Sequence, residues 1–217
     1  MKKITILISF TCILTCFFTA CKKDTIVDNA TQLGISRITY FALLTLTGNQ
    51  NMSLVKGQTY TDPGCNASIQ GKSTPITVTG TVNTNQVGLY TLTYSAKNAD
   101  GYPASTTRTV AVLPSAEVAG VDISGSYYYI ATPANTSTVT KLAPGFYSAS
   151  NCFSAATTIP ISFICADGTN IIIPNQSTAY GPIVGTGTLA ADSSLTYKVS
   201  LSAQGISNSS RKWHMSK

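Results

Sequence analysis

Charge is scarce in this chain, acidic charge above all, and so are the residues that carry most enzymatic chemistry. Only 10% of its 217 residues are charged, with one histidine, His214, and eight acids, of which Glu117 is the only glutamate. Helical bundles draw on Glu, Lys and Arg for surface pairs, so this shortage argues against one. A glycosidase needs two carboxylates held about 5 to 9.5 Å apart in a cleft, whereas Asp62, Asp100, Asp167 and Asp192 fall in turn sequences where they serve backbone hydrogen bonding. A Ser-His-Asp triad would have to use His214, beside the C-terminus, where chains fray. The expectation is a protein that is not an enzyme. There is no Cys-x-x-Cys pair, no Asp-rich loop and no Gly-rich loop before a helix, so neither metal nor cofactor is expected. The lysines and arginines are scattered without a phosphate-binding stripe, which speaks against nucleic acid.

What is present begins with Met1-Lys2-Lys3, a basic start, followed by an apolar run from Ile4 to Phe18 that ends in small residues. That is the form of a secretory signal. Fifteen residues interrupted by Thr5, Ser9, Thr11 and Thr15 fall short of the roughly 20 needed to span a bilayer. Phe18-Thr19-Ala20-Cys21 resembles a bacterial lipobox, of the relaxed kind found in Bacteroidota, where phenylalanine replaces the usual leucine. The resemblance implies cleavage before Cys21 and acylation of that residue. Two or three acyl chains, each buried methylene contributing about 0.8 kcal/mol, are enough for stable anchoring. Residues 1–20 are thus expected to be a signal, 21–34 a tether, and the outer membrane, with the cell surface favoured, the destination. Loss of Lys2 and Lys3 takes the formal charge of +6 down by two, to +4, which bears on solubility more than on a partner.

Three cysteines remain after the anchor: Cys65, Cys152 and Cys165. An exported chain permits a disulfide, and Cys152 with Cys165 is the obvious pair. A tight hairpin between Gly145–Cys152 and Ile159–Cys165, however, sets Cys152 opposite Ile159. Cys165 then lies roughly 20 Å up the ladder at about 3.3 Å per residue, beyond disulfide reach. Buried free thiols are the alternative.

From residue 35 the chain reads as strands and turns. In "VGLYTLTYSAKNADG", Tyr90, Leu92, Tyr94 and Ala96 share one face and Asp100-Gly101 closes a turn; "TPITVTGTV" and "TTRTVAVLP" alternate in the same way. Asp62-Pro63-Gly64 is a turn in which proline presets φ and glycine is free to take a positive φ. About seven short strands before Pro114 indicate a β-sandwich. Period-two spacing puts Tyr90 and Tyr94 in the core, their hydroxyls needing partners at its edge. "GQTYTDPGCNA" followed by "VGLYTLTYSAKNADGYPASTTRTVAV" resembles the bacterial immunoglobulin-like domain of Bacteroidota surface lipoproteins, over 35–114. The resemblance implies a spacer or protein-binding module, with Cys65 packed in the sandwich.

Residues 115–121 read as a linker, and 122–217 as a second antiparallel domain. Candidate strands are 125–131, 138–141, 145–151, 159–165, 170–173, 183–189, 194–202 and 211–215, with turns at Asp167-Gly168 and Asp192-Ser193. A meander closing into a small barrel or half-barrel leaves the fewest open edges. The whole is therefore expected to be all-β: an immunoglobulin-like sandwich, then a small antiparallel barrel or half-barrel. Tyr127 and Tyr129 share one face and Tyr128 takes the other. Tyr128, Tyr180 and Trp213 are the candidate ligand platform, with the competing reading that Trp213 plugs the barrel floor while Lys212 and His214 face water.

The order of a Gly-x-Tyr strand, a Gly-Phe-Tyr strand and a tryptophan in the last strand resembles the C-terminal domain of accessory lipoproteins encoded beside Sus-type outer-membrane transporters. That resemblance implies a non-catalytic glycan-binding or transporter-accessory role in nutrient acquisition. The implied partners are a glycan, a TonB-dependent transporter complex, and the membrane through Cys21. One rival is a structural or adhesin-like protein-interaction role. The other is a lipocalin-like carrier, which needs a hollow barrel lined by Phe146, Phe163 and similar residues.

Overall fold

A computed structural model describes residues 38–216. The signal, Cys21 and the tether lie outside the described residues. Alternation of apolar and hydroxyl side chains makes nearly every element a strand, and one 3-10 turn, Ser202–Gln204, is the exception among the described residues. None of them forms a helix long and apolar enough to cross a membrane.

Seven strands build the first unit: β1 (Leu43–Leu46), β2 (Asn51–Val55), β3 (Cys65–Ile69), β4 (Lys72–Ser73), β5 (Thr77–Thr79), β6 (Gly88–Lys97) and β7 (Pro103–Leu113). They form a sandwich of a three-stranded sheet, β1-β3-β4, and a four-stranded sheet, β2-β7-β6-β5, in which β2 and β7 run parallel. Leu92, Tyr94 and Ala96 are buried on one face of β6 as their spacing requires. The tyrosine hydroxyls find partners at the sandwich edge: Tyr90 donates to the Gln86 carbonyl (2.9 Å) and Tyr94 to Asp62 Oδ1 (2.6 Å).

Asp62 does more than close its turn. Arg108 of β7 is fully buried and donates to the Asp62 carboxylate, to the Tyr94 oxygen (2.8 Å) and, from Nε, to the Asn49 carbonyl (3.0 Å). Its remaining nitrogen, Nη2, donates to the Thr47 and Gly64 carbonyls. A buried guanidinium is tolerated only when its donors and charge are met in this way.

Eight strands close the second unit into an antiparallel barrel: β8 (Gly125–Tyr129), β9 (Thr132–Ala143), β10 (Phe146–Ala149), β11 (Ile161–Ile164), β12 (Asn170–Thr178), β13 (Gly181–Leu189), β14 (Ser194–Leu201) and β15 (Ile206–Met215). Closure through the β8–β15 pair, where Trp213 faces Tyr129 and His214 faces Tyr128, removes the sheet edges. The interior is filled by side chains, among them Tyr127, Tyr147, Phe163, Tyr197 and Trp213, all at most 1% exposed. Eight-stranded barrels either fill with side chains or hold one small ligand, and this one is filled. The hollow, lipocalin-like alternative is thereby corrected, and Phe146 is not a lining residue at all. It points outward into a second apolar cluster with Ile164, Ala111 and Leu113.

That cluster joins the two units. Ala111 and Leu113 of β7, with Val87 and Leu89, cover the outward apolar residues Phe146, Ile164 and Ile172 of the barrel wall. Gly145, at positive φ, lies where an added Cβ would come within 2.9 Å of Leu113, so the junction requires glycine there. Residues 115–121, which read as a linker, are fastened down. Val118 N–H donates to the Ala166 carbonyl (2.8 Å), and Glu117 accepts from Gly145 N–H (2.7 Å), Tyr147 Oη (3.2 Å) and Lys141 Nζ (3.0 Å).

Among the described residues there is no disulfide: Cys65, Cys152 and Cys165 are free thiols, the last two buried. Cys152 N–H donates to the Ile159 carbonyl (2.9 Å), and Cys165 N–H to the Gly145 carbonyl (2.9 Å), so the ladder holds the two cysteines at opposite ends of the β10–β11 hairpin.

Candidate functional site

The outer wall of β9 to β12 is divided by chemistry. Next to the junction it is apolar and covered, by the cluster just described. Away from the junction the outward positions are hydroxyls and an amide: Thr138 and Thr140 of β9, Ser148 of β10, Ser162 of β11 and Gln176 of β12, with Ser150 just beyond β10. Register explains why they gather. Ser148 is the cross-strand partner of both Thr140 and Ser162, so period-two alternation turns all three to one side. Together with Pro160 and Ile161 these residues line an open depression of about 310 Å³ with no ionisable side chain in its lining.

Two side chains complete the wall's own hydrogen bonding. Gln176 sits at an irregularity in the β12 register, where its Oε1 accepts from Ser162 N–H (2.8 Å) and its Nε2 donates to the Ser162 carbonyl (2.7 Å). The side-chain amide thus takes the place of a backbone partner. Ser150 Oγ accepts from Thr138 N–H (2.9 Å) in the same spirit.

At the β8 side of this hydroxyl face stands an aromatic pair. Tyr128 is the register partner of Thr136 on β9 and of His214 on β15, and its ring lies 5.6 Å from the His214 imidazole at 31°. Both rings are half-buried and point out of the barrel, opposite to buried Tyr127. Tilted against each other in this way, the two rings present weakly polar aromatic faces.

The three aromatic residues that the sequence nominated do not form one platform. Trp213 is 0% exposed, packed inside the barrel 5.2 Å from the Tyr129 ring, and so drops out as a surface ligand residue. Lys212 and His214 face outward on either side of it. Tyr180 is exposed in the β12–β13 turn, and β14 and β15 separate that hairpin from β8. Only Tyr128 joins the hydroxyl face. The sequence carried no signal for the threonine and serine positions beyond alternation, because hydroxyls of that kind occur throughout the chain.

The aspartates are engaged with backbone. Asp167 accepts from Thr169 N–H (2.8 Å) and Asn170 N–H (2.6 Å), and Asp192 from Ser194 N–H (2.9 Å). Burial opposes ionisation of Asp167, but the bond from the Asn170 side-chain amide (2.7 Å) together with these backbone bonds outweighs it and holds the carboxyl below its ordinary range. Among the described residues no group of three or more His, Cys, Asp or Glu side chains is arranged to hold a metal ion.

Residues 44–112 match the family of bacterial surface proteins with an Ig-like domain. No curated protein matches the chain. Among solved structures, the lipoprotein BT2262 from Bacteroides thetaiotaomicron is similar at 21% identity and TM-score 0.41, over 80% of this chain and 98% of that one. The M60 catalytic domain with the CBM51-1 and CBM51-2 domains from Clostridium perfringens ZmpB is similar at 14% identity and TM-score 0.31, over 74% of this chain and 14% of that one. Neither likeness speaks to what this chain binds.

Proposed function

We propose that this chain is a non-catalytic lipoprotein of the bacterial outer membrane, tethered through acylated Cys21, whose barrel binds a neutral glycan in the service of nutrient uptake. The observation that carries the reading is the uncharged hydroxyl face beside the Tyr128–His214 pair. Sugars are recognised by hydroxyl and amide hydrogen bonds with an aromatic face against the ring, and such a site needs no charge. The immunoglobulin-like unit supports the same reading, because its junction covers the apolar part of that wall and leaves the hydroxyl part exposed. An accessory role beside a TonB-dependent transporter is the wider setting in which a tethered glycan module would act.

The test is a glycan array followed by calorimetry on the chain from Lys22 onward, with Tyr128→Ala as the paired variant. Binding by the native chain, weakened about fivefold in a folded Tyr128→Ala variant, is the expected result; one aromatic contact is worth about 1 kcal/mol. A broad panel without binding moves the function to protein interaction. For the anchor, metabolic labelling with an alkyne fatty acid is expected to tag the native protein and to leave a Cys21→Ser variant untagged.

A further inference from the structure

The barrel end opposite the junction holds a recess of about 250 Å³, lined by Phe153, Ile159, Tyr180, Leu201 and Ile206 with Thr157 and Gln204. The recess is apolar and contains no acid. Beside it stands an arginine without a counter-ion. The Arg211 guanidinium lies 4.0 Å from the centre of the Phe153 ring, and its one hydrogen bond is a long one from Nη1 to the Ser210 carbonyl (3.3 Å). Its Nε is buried and has no partner. Compare Arg108, which meets acceptors with all three of its nitrogens.

Other donors at this level are unmet as well. Tyr197, the cross-strand partner of Arg211 and 1% exposed, has a buried hydroxyl with no partner. Asn135 donates nothing from a buried Nδ2, while its Oδ1 accepts from Asn151 Nδ2 (3.2 Å). Asn151 in turn holds the recess loop in place by accepting from Phe153 N–H (2.9 Å) and Ile159 N–H (3.2 Å). Buried polar groups left unpaired call for an explanation, since each costs on the order of a hydrogen bond. Of these groups Asn135 Nδ2 and Arg211 Nε can only donate, and Arg211 is cationic. A ligand that satisfies them must bring acceptors and a negative charge.

We propose that this recess is a binding site for a small carboxylate with an apolar body, distinct from the hydroxyl face. The body lies against Ile159, Tyr180, Leu201 and Ile206, and the carboxylate reaches past the Phe153 ring at the recess edge to the Arg211 guanidinium, a planar donor set suited to it.

The probes are phenylacetate and octanoate, with benzyl alcohol and octanol as neutral counterparts, titrated into the chain from Lys22 onward and followed by calorimetry. The expected result is saturable binding of the carboxylates at least tenfold tighter than of the alcohols. Arg211→Gln, checked for folding by circular dichroism, is expected to abolish that preference, and Tyr180→Ala to weaken carboxylates and alcohols alike. Carboxylate-dependent movement of the Arg211 Nε–H resonance in a nitrogen-15 spectrum of the unmutated protein gives a readout that no folding defect can mimic. No saturable carboxylate binding, or equal binding of acids and alcohols, overturns the proposal. The hydroxyl-face reading stands or falls separately: glycan binding lost in Tyr128→Ala and unchanged in Arg211→Gln belongs to that face alone.

Discussion

The two units each contain a cation, an acid and a tyrosine in mutual contact, and the difference between the two sets shows what burial does to the same chemistry. In the sandwich, Arg108 lies 5.4 Å from the Tyr94 ring centre, and Tyr94 donates to Asp62. At the barrel, Lys141 lies 5.8 Å from the Tyr147 ring centre, and Tyr147 donates to Glu117. Arg108 is sealed, with 0% side-chain exposure, while its partner Asp62 keeps 29%; in the other set Lys141 keeps 29% and Glu117 16%, so what differs is the burial of the cation. The set around Arg108 ties together β6, β7, the β1–β2 turn and the Asp62 turn. The wetter set fastens residues 115–121 to the barrel wall and fixes how the second unit leaves the first.

The largest effect therefore belongs to Arg108. Arg108→Met leaves the Tyr94 hydroxyl and the carbonyls of Thr47, Asn49 and Gly64 without their donor, while Asp62, 29% exposed, turns to water, and is expected to cost about 2–3 kcal/mol in urea unfolding. A loss within about 1 kcal/mol, the worth of an exposed pair, would put the two sets on the same footing. Glu117→Gln comes next. Its amide oxygen still accepts from Gly145 N–H, but the charge facing Lys141 is gone, and the expected loss is about 1 kcal/mol, because water screens a partly exposed pair. High salt should shrink the Glu117 effect and leave the Arg108 effect nearly unchanged.

Titration sharpens the same contrast. Burial alone would raise the Asp62 pKa, but the bonds from Tyr94 and Gly64 N–H and the Arg108 charge together hold it below its ordinary value. A depressed folded value means a contribution fully present above the unfolded carboxyl value, about 3.9, and lost as pH falls through the folded one. The stability gap between the native chain and Asp62→Asn should thus be flat from about pH 7 to 5 and narrow only below about pH 4. A gap that narrows nearer neutrality would mean that Asp62 is not held ionised by this set.

The strands of both units were legible because their core faces alternate. All eight barrel strands overlap the spans that the sequence indicates, and the alternation is clearest in Ser194–Leu201. The extensions were not. In β15 the stretch from Ile206 to Ser210 is polar and carries a positive φ at Asn208, so nothing in its pattern signals a strand. In β12 the ladder continues past Pro174 because the Gln176 side chain supplies the missing backbone bonds, a tertiary device invisible to periodicity. The Glu117 segment lacks any period for the opposite reason: it is held by one side chain at several points and not by a ladder. Of the site, Tyr128 was readable from three consecutive tyrosines that cannot share a face, and for Trp213 the reading that buries it in the barrel while Lys212 and His214 face water is the one the structure bears out. Arg211 went unnoticed, since only barrel closure shows that its face of β15 looks inward.

The smallest effect is on the thiols, and it tests register directly. Burial pushes Cys152 up to about 12 and Cys165 up to about 11, while Cys65 is half-buried in β3 and raised by the same cause. Because the thiolate is the reactive species, the two barrel cysteines are doubly protected near pH 8, by access and by ionisation. The chain from Lys22 should take up iodoacetamide slowly at Cys65 alone when folded, and at all three cysteines in urea. The same count should survive prior exposure to a mild oxidant. Loss of Cys152 and Cys165 as a pair after oxidation would require them within bonding distance, and hence a β10–β11 register shifted by several residues. That shift would also carry Phe146 away from Leu113 and undo the junction that leaves the hydroxyl face exposed.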